Sequence, residues 1–202
     1  MDQLVTEIVE LEWALFAKVQ NQGGRAPCQD DWTTFQIMRS AQLSAWTPGM
    51  RWSYLTDLKT AQAEGRNPLA EKYGYMMEHT APVEFEKIRD QLPSRTAEKD
   101  TVIKVICKAH VEWLEQLSTQ YPKLTGRGRP IRSCEDGHGV TSFETYLWGE
   151  LSTYSMETLR LYRAYVERLR WSGRNLNEMI LENTVKQYGW SSLEDAEKDE
   201  RH

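Results

Sequence analysis

Ala97–Gln120 reads AEKDTVIKVICKAHVEWLEQLSTQ, a run free of glycine and proline. Its apolar residues recur three and four positions apart, which is the spacing of one face of an α-helix. Pro122 follows shortly after, and because proline cannot continue a helix it predicts the helix end. The stretch is therefore predicted to form one long amphipathic helix whose buried face is built by Ile103, Ile106, Leu114 and Leu117.

The same periodicity occurs in the sequence before and after this helix, and alternating strand patterns are nearly absent. Cap residues followed by proline, Thr47-Pro48 and Asn67-Pro68, mark two helix starts. Further helices are predicted at about Gln3–Gln20, Trp32–Ala45, Pro48 to Gly65, from Pro68 onward, Pro82–Gln91, Phe143–Thr153, Met156–Trp171 and Leu176–Tyr188. We therefore expect an all-α fold: a single compact multi-helix domain of about eight or nine helices over residues 1–190, and a charged, frayed tail over 191–202.

The composition excludes several classes of protein. Of the 202 residues 40% are hydrophobic and 27% charged, which is typical of a globular domain and not of a disordered chain. The net charge is −5 and no face is densely basic, so we expect no nucleic-acid partner. No run is long and apolar enough to span a bilayer, so we expect no membrane partner. The absence of a signal-peptide pattern at the start, and three widely spaced cysteines, predict a cytoplasmic protein.

Several polar side chains fall on helix faces that are otherwise apolar. On helical wheels these residues are Glu12, Arg39, Glu144, Glu150 and Asn183. An isolated buried charge is costly, so such groups pair, shift their pKa, or hold a ligand or metal. The three glutamates can pair with Arg39, Arg129 or Arg132. Two interpretations stay open: a buried salt-bridge network that fixes helix register, and a polar pocket inside a helical bundle.

A loop punctuated by glycine and proline, GRGRPIRSCED at 126–136, precedes the helix that carries Glu144 and Glu150, and we call it the arginine loop. Arginine presents a planar fork of donors that suits a carboxylate or phosphate, and glycine lets backbone N–H groups approach an anion. The loop of Arg25 is a second candidate contact, although a helix stop followed by a turn is the favoured interpretation there. The candidate anion-binding residues of the first loop are Arg127, Arg129, Arg132 and Ser133.

Acid–base chemistry is one use for these side chains. Tyr146 and Tyr154 each lie four residues from Glu150, so a tyrosine can hydrogen-bond this glutamate. A general base of raised pKa, assisted by a tyrosine, is one hypothesis, and two amphipathic core tyrosines are the alternative. Glu144 and Glu150 point in different directions around their helix, so they flank a site or serve different neighbours.

Thiol and metal chemistry have weaker patterns. Cys107-x-x-His110 shares one helical face, where a buried thiol and a core histidine are favoured over a thiolate–imidazole pair. A carboxylate-bridged di-metal centre requires Glu-x-x-His on helices. The only Glu-x-x-His spacing is Glu135–His138, which lies in a glycine-rich loop and not on a helix, so the usual di-metal pattern is missing. A metalloenzyme with inward Glu and His ligands that lacks this pattern is kept as a third alternative, and no residue is assigned to a metal.

The motifs also resemble a bacterial domain-of-unknown-function family, family 4125. The resemblance reaches to about Tyr188 and implies a bacterial protein with a single domain. It implies no reaction, cofactor or catalytic residue. The residues that carry it are Leu11-Glu12-Trp13, Asn21, Gly23-Gly24-Arg25-Ala26, Gly126–Ser133, Ser142–Leu147, Gly149–Ser155 and Glu182-Asn183.

Together these patterns predict a cytoplasmic helical protein with an internal polar pocket that binds an anionic small molecule, a carboxylate or a phosphate. An enzyme of undefined reaction class is favoured, with Glu144 or Glu150 as acid or base. The alternative is a non-catalytic interaction or regulatory module in which the buried salt bridges are structural. The sequence specifies neither a cofactor nor an oligomeric state. The remaining predicted roles are hydrogen bonding by Tyr146 and Tyr154, and ligand binding by Arg127, Arg129, Arg132, Ser133, Arg39, Arg25, Asn183 and Glu12.

Overall fold

The computed structural model describes residues 2–20, 24–137 and 139–199. Asn21, Gly23, His138 and the last three residues of the predicted tail lie outside this part of the chain. Short 3-10 helices lie at Pro27–Gln29, Arg89–Gln91 and Ser133–Glu135. The described residues form eleven α-helices: α1 (Gln3–Phe16), α2 (Trp32–Ser44), α3 (Pro48–Ala63), α4 (Pro68–Thr80), α5 (Pro82–Ile88), α6 (Ala97–Gln120), α7 (Pro122–Gly126), α8 (Phe143–Ser152), α9 (Met156–Trp171), α10 (Leu176–Gln187) and α11 (Leu193–Lys198).

The all-α prediction is confirmed, although the helix count is slightly higher than predicted. The two additional helices, α7 and α11, have 5 and 6 residues, which is too short for a periodic pattern to stand out. α6 begins and ends where the sequence predicts. α1 ends at Phe16 and not near Gln20, because the following residues form tighter turns in which the N–H of Val19 bonds the carbonyl of Phe16.

The segment after residue 190 was expected to fray, and the structure shows a packed helix there. α11 buries Leu193 and Ala196 beside Val185 of α10. Glu194 accepts a hydrogen bond from the hydroxyl of Tyr121 at 2.7 Å. The segment is charged as predicted, but its two apolar residues hold it against α7 and α10.

The long helix α6 packs on α8, α9 and α10. α8 also packs on α4, and α1 contacts α2, α3 and α4. No helix in the described ranges combines the length and the apolar character required to cross a membrane. The largest fully buried side chains include Ile8, Leu43, Met50, Leu55, Ile103, Ile106, Leu117, Leu151, Tyr154, Leu159 and Tyr162.

Gly149 allows α8 to approach α4 closely. A Cβ at this position would lie 2.6 Å from Cγ of Met76 and 2.7 Å from the backbone oxygen of Lys72. Because only glycine lacks a Cβ, the residue next to Glu150 sets how near the two helices come. This close approach brings Lys72 and Glu150 within reach of each other.

Candidate functional site

Arg39 on α2 forms a two-pronged ion pair with Glu12 on α1. Its Nε and Nη2 donate to the two carboxylate oxygens at 2.8 and 2.5 Å. Tyr54 of α3 donates its hydroxyl to Oε1 of Glu12 at 2.6 Å. The Glu12 side chain is fully buried and that of Arg39 is 13% exposed. The pair is therefore held by charge-assisted hydrogen bonds inside the helix bundle.

Glu150 on α8 reaches the same arginine from the other side. Its Oε1 accepts from Nη1 of Arg39 at 3.0 Å, from Gln42 at 3.1 Å and from the hydroxyl of Tyr154 at 2.7 Å. Its Oε2 accepts from Nζ of Lys72 at 2.9 Å. The pairing of inward glutamates with Arg39 is thus confirmed for Glu12 and Glu150. We call Glu12, Arg39, Lys72 and Glu150 the buried network; its two carboxylates and two cations balance formally.

The electrostatics of the buried network contradict one prediction. Burial alone would raise the pKa of Glu150, but the charges of Arg39 and Lys72 outweigh it and hold this pKa well below its ordinary value. Burial and the neighbouring carboxylate raise the pKa of Tyr154 well above its ordinary value. The expectation of a raised-pKa general base at Glu150 is therefore wrong. It is an ionised carboxylate, and Tyr154 is a neutral donor to it.

Lys72 and Arg129 lie against the ring of Tyr146. Nζ of Lys72 is 3.4 Å from the ring centroid, and Cζ of Arg129 is 4.7 Å from it. Burial alone would lower the pKa of Lys72, but Glu150 and Tyr146 together outweigh it and the net shift is upward, so the amine is charged. Arg129 is exposed, and its Nη1 donates to the carbonyl of Thr141 at 3.1 Å. The Tyr146 ring therefore makes cation–π contacts with both Lys72 and Arg129.

A cavity of about 280 Å³ opens beside the buried network. Its lining includes five residues that the sequence analysis assigned to the site: Glu12, Arg39, Arg129, Tyr146 and Glu150. Cys28, from the loop after α1, also lines it and is exposed. The lining consists of Glu12, Phe16, Cys28, Asp31, Thr34, Phe35, Met38, Arg39, Tyr54, Pro68, Leu69, Lys72, Tyr73, Arg129, Tyr146, Glu150 and Thr153.

Other predicted residues of the arginine loop lie outside the cavity lining that the structure describes. Arg132 is exposed and donates to both carboxylate oxygens of Glu115 on α6, at 2.6 and 2.9 Å. The N–H of Ser133 donates to Glu144 at 2.8 Å, so this pair ties the loop to the start of α8. Arg127 is exposed just after α7. Glu144 and Glu150 therefore serve different neighbours, one of the two outcomes expected.

Arg25 and Asn183 make structural contacts. Arg25 pairs with Asp30 and donates to the carbonyl of Ala17, which closes the turn after α1. This agrees with the favoured interpretation of that loop as a helix stop followed by a turn. The amide of Asn183 on α10 donates to the carbonyl of Ala41 on α2 at 3.1 Å. Asn183 thus faces inward as predicted, but it joins two helices outside the cavity lining of the described chain.

Lys72 and Tyr54 were missed by the sequence analysis. Lys72 lies three residues after Leu69 and four before Met76, so helical spacing places it on an apolar face of α4. Tyr54 is likewise four residues from Met50 on α3. The spacing signal existed for both residues, but their partners are on other helices and no sequence pattern specifies them.

His110 and Cys107 belong to the core. The His110 ring is hydrogen-bonded through Nδ1 to Asn177 at 2.5 Å and through Nε2 to the hydroxyl of Tyr162 at 3.0 Å. Burial lowers the pKa of His110 to about 4 and raises that of the Cys107 thiol. The interpretation as a core histidine and a buried thiol is confirmed. In the part of the chain that is described, no three His, Cys, Asp or Glu side chains are grouped to hold a metal ion.

Comparisons with known proteins give one result. A family model described as "Protein of unknown function (DUF4125)" matches residues 2–198. Comparison with curated proteins and with solved structures gives no match. The matched segment includes every helix of the fold and every residue of the buried network. The resemblance predicted from the motifs is confirmed, and the chain belongs to the DUF4125 family.

Proposed function

We propose that the cavity beside the buried network binds a small anionic molecule, a carboxylate or a phosphate, in the cytoplasm. The observation that carries this proposal is the pair of cations on the Tyr146 ring. Lys72 and Arg129 both line the cavity. Because both cations line the same cavity, an anion inside it is attracted by two positive charges.

Both cations have donors left for a ligand. Nζ of Lys72 has three N–H groups, of which one donates to Glu150 and another is engaged by Tyr146, so one remains for a ligand. No described carboxylate lies within ion-pair distance of Arg129, whose hydrogen bond goes to the carbonyl of Thr141. A buried ammonium group with one donor left over beside an open cavity favours binding of an anion.

The proposal is limited to binding, because the geometry gives little support to proton transfer by a glutamate. The low pKa of Glu150 makes it a weak base, and three donors already occupy its Oε1. Glu144 is engaged by Ser133 away from the cavity. Catalysis by another group, supplied by the ligand or by a partner, is compatible with the same binding site.

Two exposed cysteines provide a direct test in the unmodified protein. Cys28 lines the cavity, whereas Cys134 lies in the arginine loop outside the lining that is described. The rate of alkylation by iodoacetamide, measured for each cysteine by peptide mass spectrometry, would be followed at pH 8 with increasing acetate or inorganic phosphate. We expect slower alkylation of Cys28 and an unchanged rate at Cys134. Chloride at matched ionic strength is the control for screening.

Arg129→Gln is the matching variant, with Arg127→Gln as its control. Both arginines are exposed and two positions apart, so neither replacement should unfold the chain. Arg129→Gln should remove most of the protection of Cys28, and Arg127→Gln should retain it. Equal protection in the two variants, or no protection by any anion in the unmodified protein, would overturn the proposal.

The rival function is an interaction or regulatory module in which the buried network is purely structural. The mutual satisfaction of Glu12 and Arg39 favours it, because that pair leaves little unmet charge. A stable protein partner that co-purifies, combined with unprotected Cys28, would favour this second function over anion binding.

A further inference from the structure

The cavity lining contains both charged and apolar side chains. α4 and α8 contribute Lys72 and Tyr146, next to Arg129 of the loop. α1 and α2 contribute apolar surface from Phe16, Phe35 and other side chains. A ligand that fills the cavity therefore meets cations and apolar surface together.

The apolar part is built as an aromatic platform. The rings of Phe16 and Phe35 are stacked, with centroids 5.4 Å apart and planes 16° from parallel. Met38, one turn along α2 from Phe35, is 49% exposed. A large apolar side chain that remains half exposed while lining a cavity is free to be covered by a ligand, and its flexible thioether adapts to varied shapes.

The charges of the lining limit the charge of the ligand. Three carboxylates (Glu12, Asp31 and Glu150) face three cations (Arg39, Lys72 and Arg129), so the lining is formally neutral. Asp31 accepts the N–H of Thr34 as the cap of α2, and this fixes a negative charge near the start of that helix. A second negative charge on a ligand would meet these carboxylates, so one negative charge is favoured over two.

The volume limits the size of the ligand. An apolar cavity of about 150 Å³ accommodates benzene. The 280 Å³ available here is therefore sufficient for a group of that size together with a carboxylate.

We infer that the ligand is an amphipathic monoanion, a carboxylate attached to an aromatic or compact aliphatic group. The carboxylate lies in the part of the cavity lined by Lys72 and Arg129, and the apolar group lies on Phe16, Phe35 and Met38. This inference rests on the proposed anion-binding function and narrows its ligand class. A plain anion uses only the cationic part of the cavity, whereas this ligand uses both parts.

Four small probes test the inference through the protection of Cys28 against alkylation. Phenylacetate has both features, acetate lacks the ring, phenylacetamide lacks the charge, and phenyl phosphate is a dianion at pH 8. We expect phenylacetate to half-protect Cys28 at a concentration at least about tenfold below that of acetate, since ring burial removes apolar surface from water. Phenylacetamide and phenyl phosphate should both be weaker than phenylacetate.

Met38→Gln is the variant for the apolar part, and Met77→Gln is its control. Met77 is a half-buried methionine of α4 outside the described cavity lining. Met38→Gln should weaken protection by phenylacetate about threefold or more and leave protection by acetate unchanged. Met77→Gln should leave protection by both probes unchanged.

The outcomes separate this inference from the function on which it rests. Protection by acetate and phosphate with no advantage for phenylacetate would overturn the inference and leave anion binding standing. Equal protection by phenylacetamide and phenylacetate would show that charge is not recognised, and would overturn it as well. The absence of protection by all four probes, together with inorganic phosphate, would overturn both.

Discussion

Arg39 and Arg132 make the same bond in different surroundings. Each donates from Nε and Nη2 to both oxygens of a glutamate, at 2.8 and 2.5 Å for Arg39 and at 2.6 and 2.9 Å for Arg132. The side chains of Arg39 and Glu12 are 13% and 0% exposed, and those of Arg132 and Glu115 are 51% and 40% exposed. Burial and not bond geometry therefore decides what each pair contributes, because water competes for the exposed one.

The strongest way to break this comparison is to remove Arg39. Arg39→Met leaves Glu12 buried with the Tyr54 hydroxyl as its one remaining hydrogen-bond donor among the described side chains, and removes one of the two described cations of Glu150. We expect a loss of about 3–5 kcal/mol in the free energy of unfolding, measured by urea denaturation. A loss below about 1 kcal/mol would show that burial does not increase the contribution of the Arg39–Glu12 pair to stability.

The buried His110 tests the effect of burial through the pH dependence of the free energy of unfolding. The pKa of His110 is lowered by burial to about 4 from an ordinary 6.5, so the unfolded chain takes up this proton at higher pH than the folded one. The contribution of His110 to the free energy of unfolding is fully present above pH 6.5, and it is lost as the pH falls from 6.5 to 4. The loss amounts to as much as about 3 kcal/mol, measured by urea denaturation at several pH values.

His110→Gln should flatten the dependence of stability on pH between 6.5 and 4. The control is His79→Gln, since His79 is exposed on α4. An unchanged slope in His110→Gln would contradict the assignment, as would a slope abolished by His79→Gln.

A smaller loss of stability is expected where α4 and α8 pack closely beside the buried network. Gly149→Ala would place a Cβ 2.6 Å from Met76 and 2.7 Å from the backbone oxygen of Lys72, so α4 and α8 must separate. We expect a loss of about 1–3 kcal/mol in the free energy of unfolding. Gly49→Ala on α3 is the control, because nothing lies within 4 Å of its added Cβ. That variant should gain up to about 1 kcal/mol from helix propensity, and a gain in both variants would argue against the close approach.

The smallest effect is expected at the exposed pair. Arg132→Met removes the bond to Glu115, and its cost should stay below about 1 kcal/mol and shrink further in high salt. Urea denaturation at low and high ionic strength provides the measurement. A loss comparable to that of Arg39→Met would mean that the arginine loop is a stabilising element in its own right.

Local patterns predicted the helices well because their signals are local. Thr47 and Asn67 cap α3 and α4 through side-chain bonds to nearby N–H groups, and each is followed by proline at the first helical position. α11 was not predicted because six residues carry too weak a periodic pattern, and because its order depends on packing against α10 and against α7, which is far away in the sequence.

The candidate site was predicted in part. Helical spacing identified Glu12, Arg39 and Glu150 as inward groups, and these residues meet in the structure. It also identified Glu144, which faces the arginine loop and binds Ser133. Spacing reports which face of a helix a residue occupies, but the neighbour on that face depends on how the helices pack.

The amino-acid sequence by itself determined that this chain is helical and where most helices begin. It also determined which of several charged residues lie on the inward face of their helix. Each of these properties depends on neighbours within a turn or two of the same helix. The tertiary structure alone decided that Lys72 meets Glu150, that Arg132 pairs with Glu115, and that the carboxylate of Glu150 is ionised. Those outcomes depend on distances between groups that are far apart in the chain, because pairing and burial set the charge of a carboxylate together.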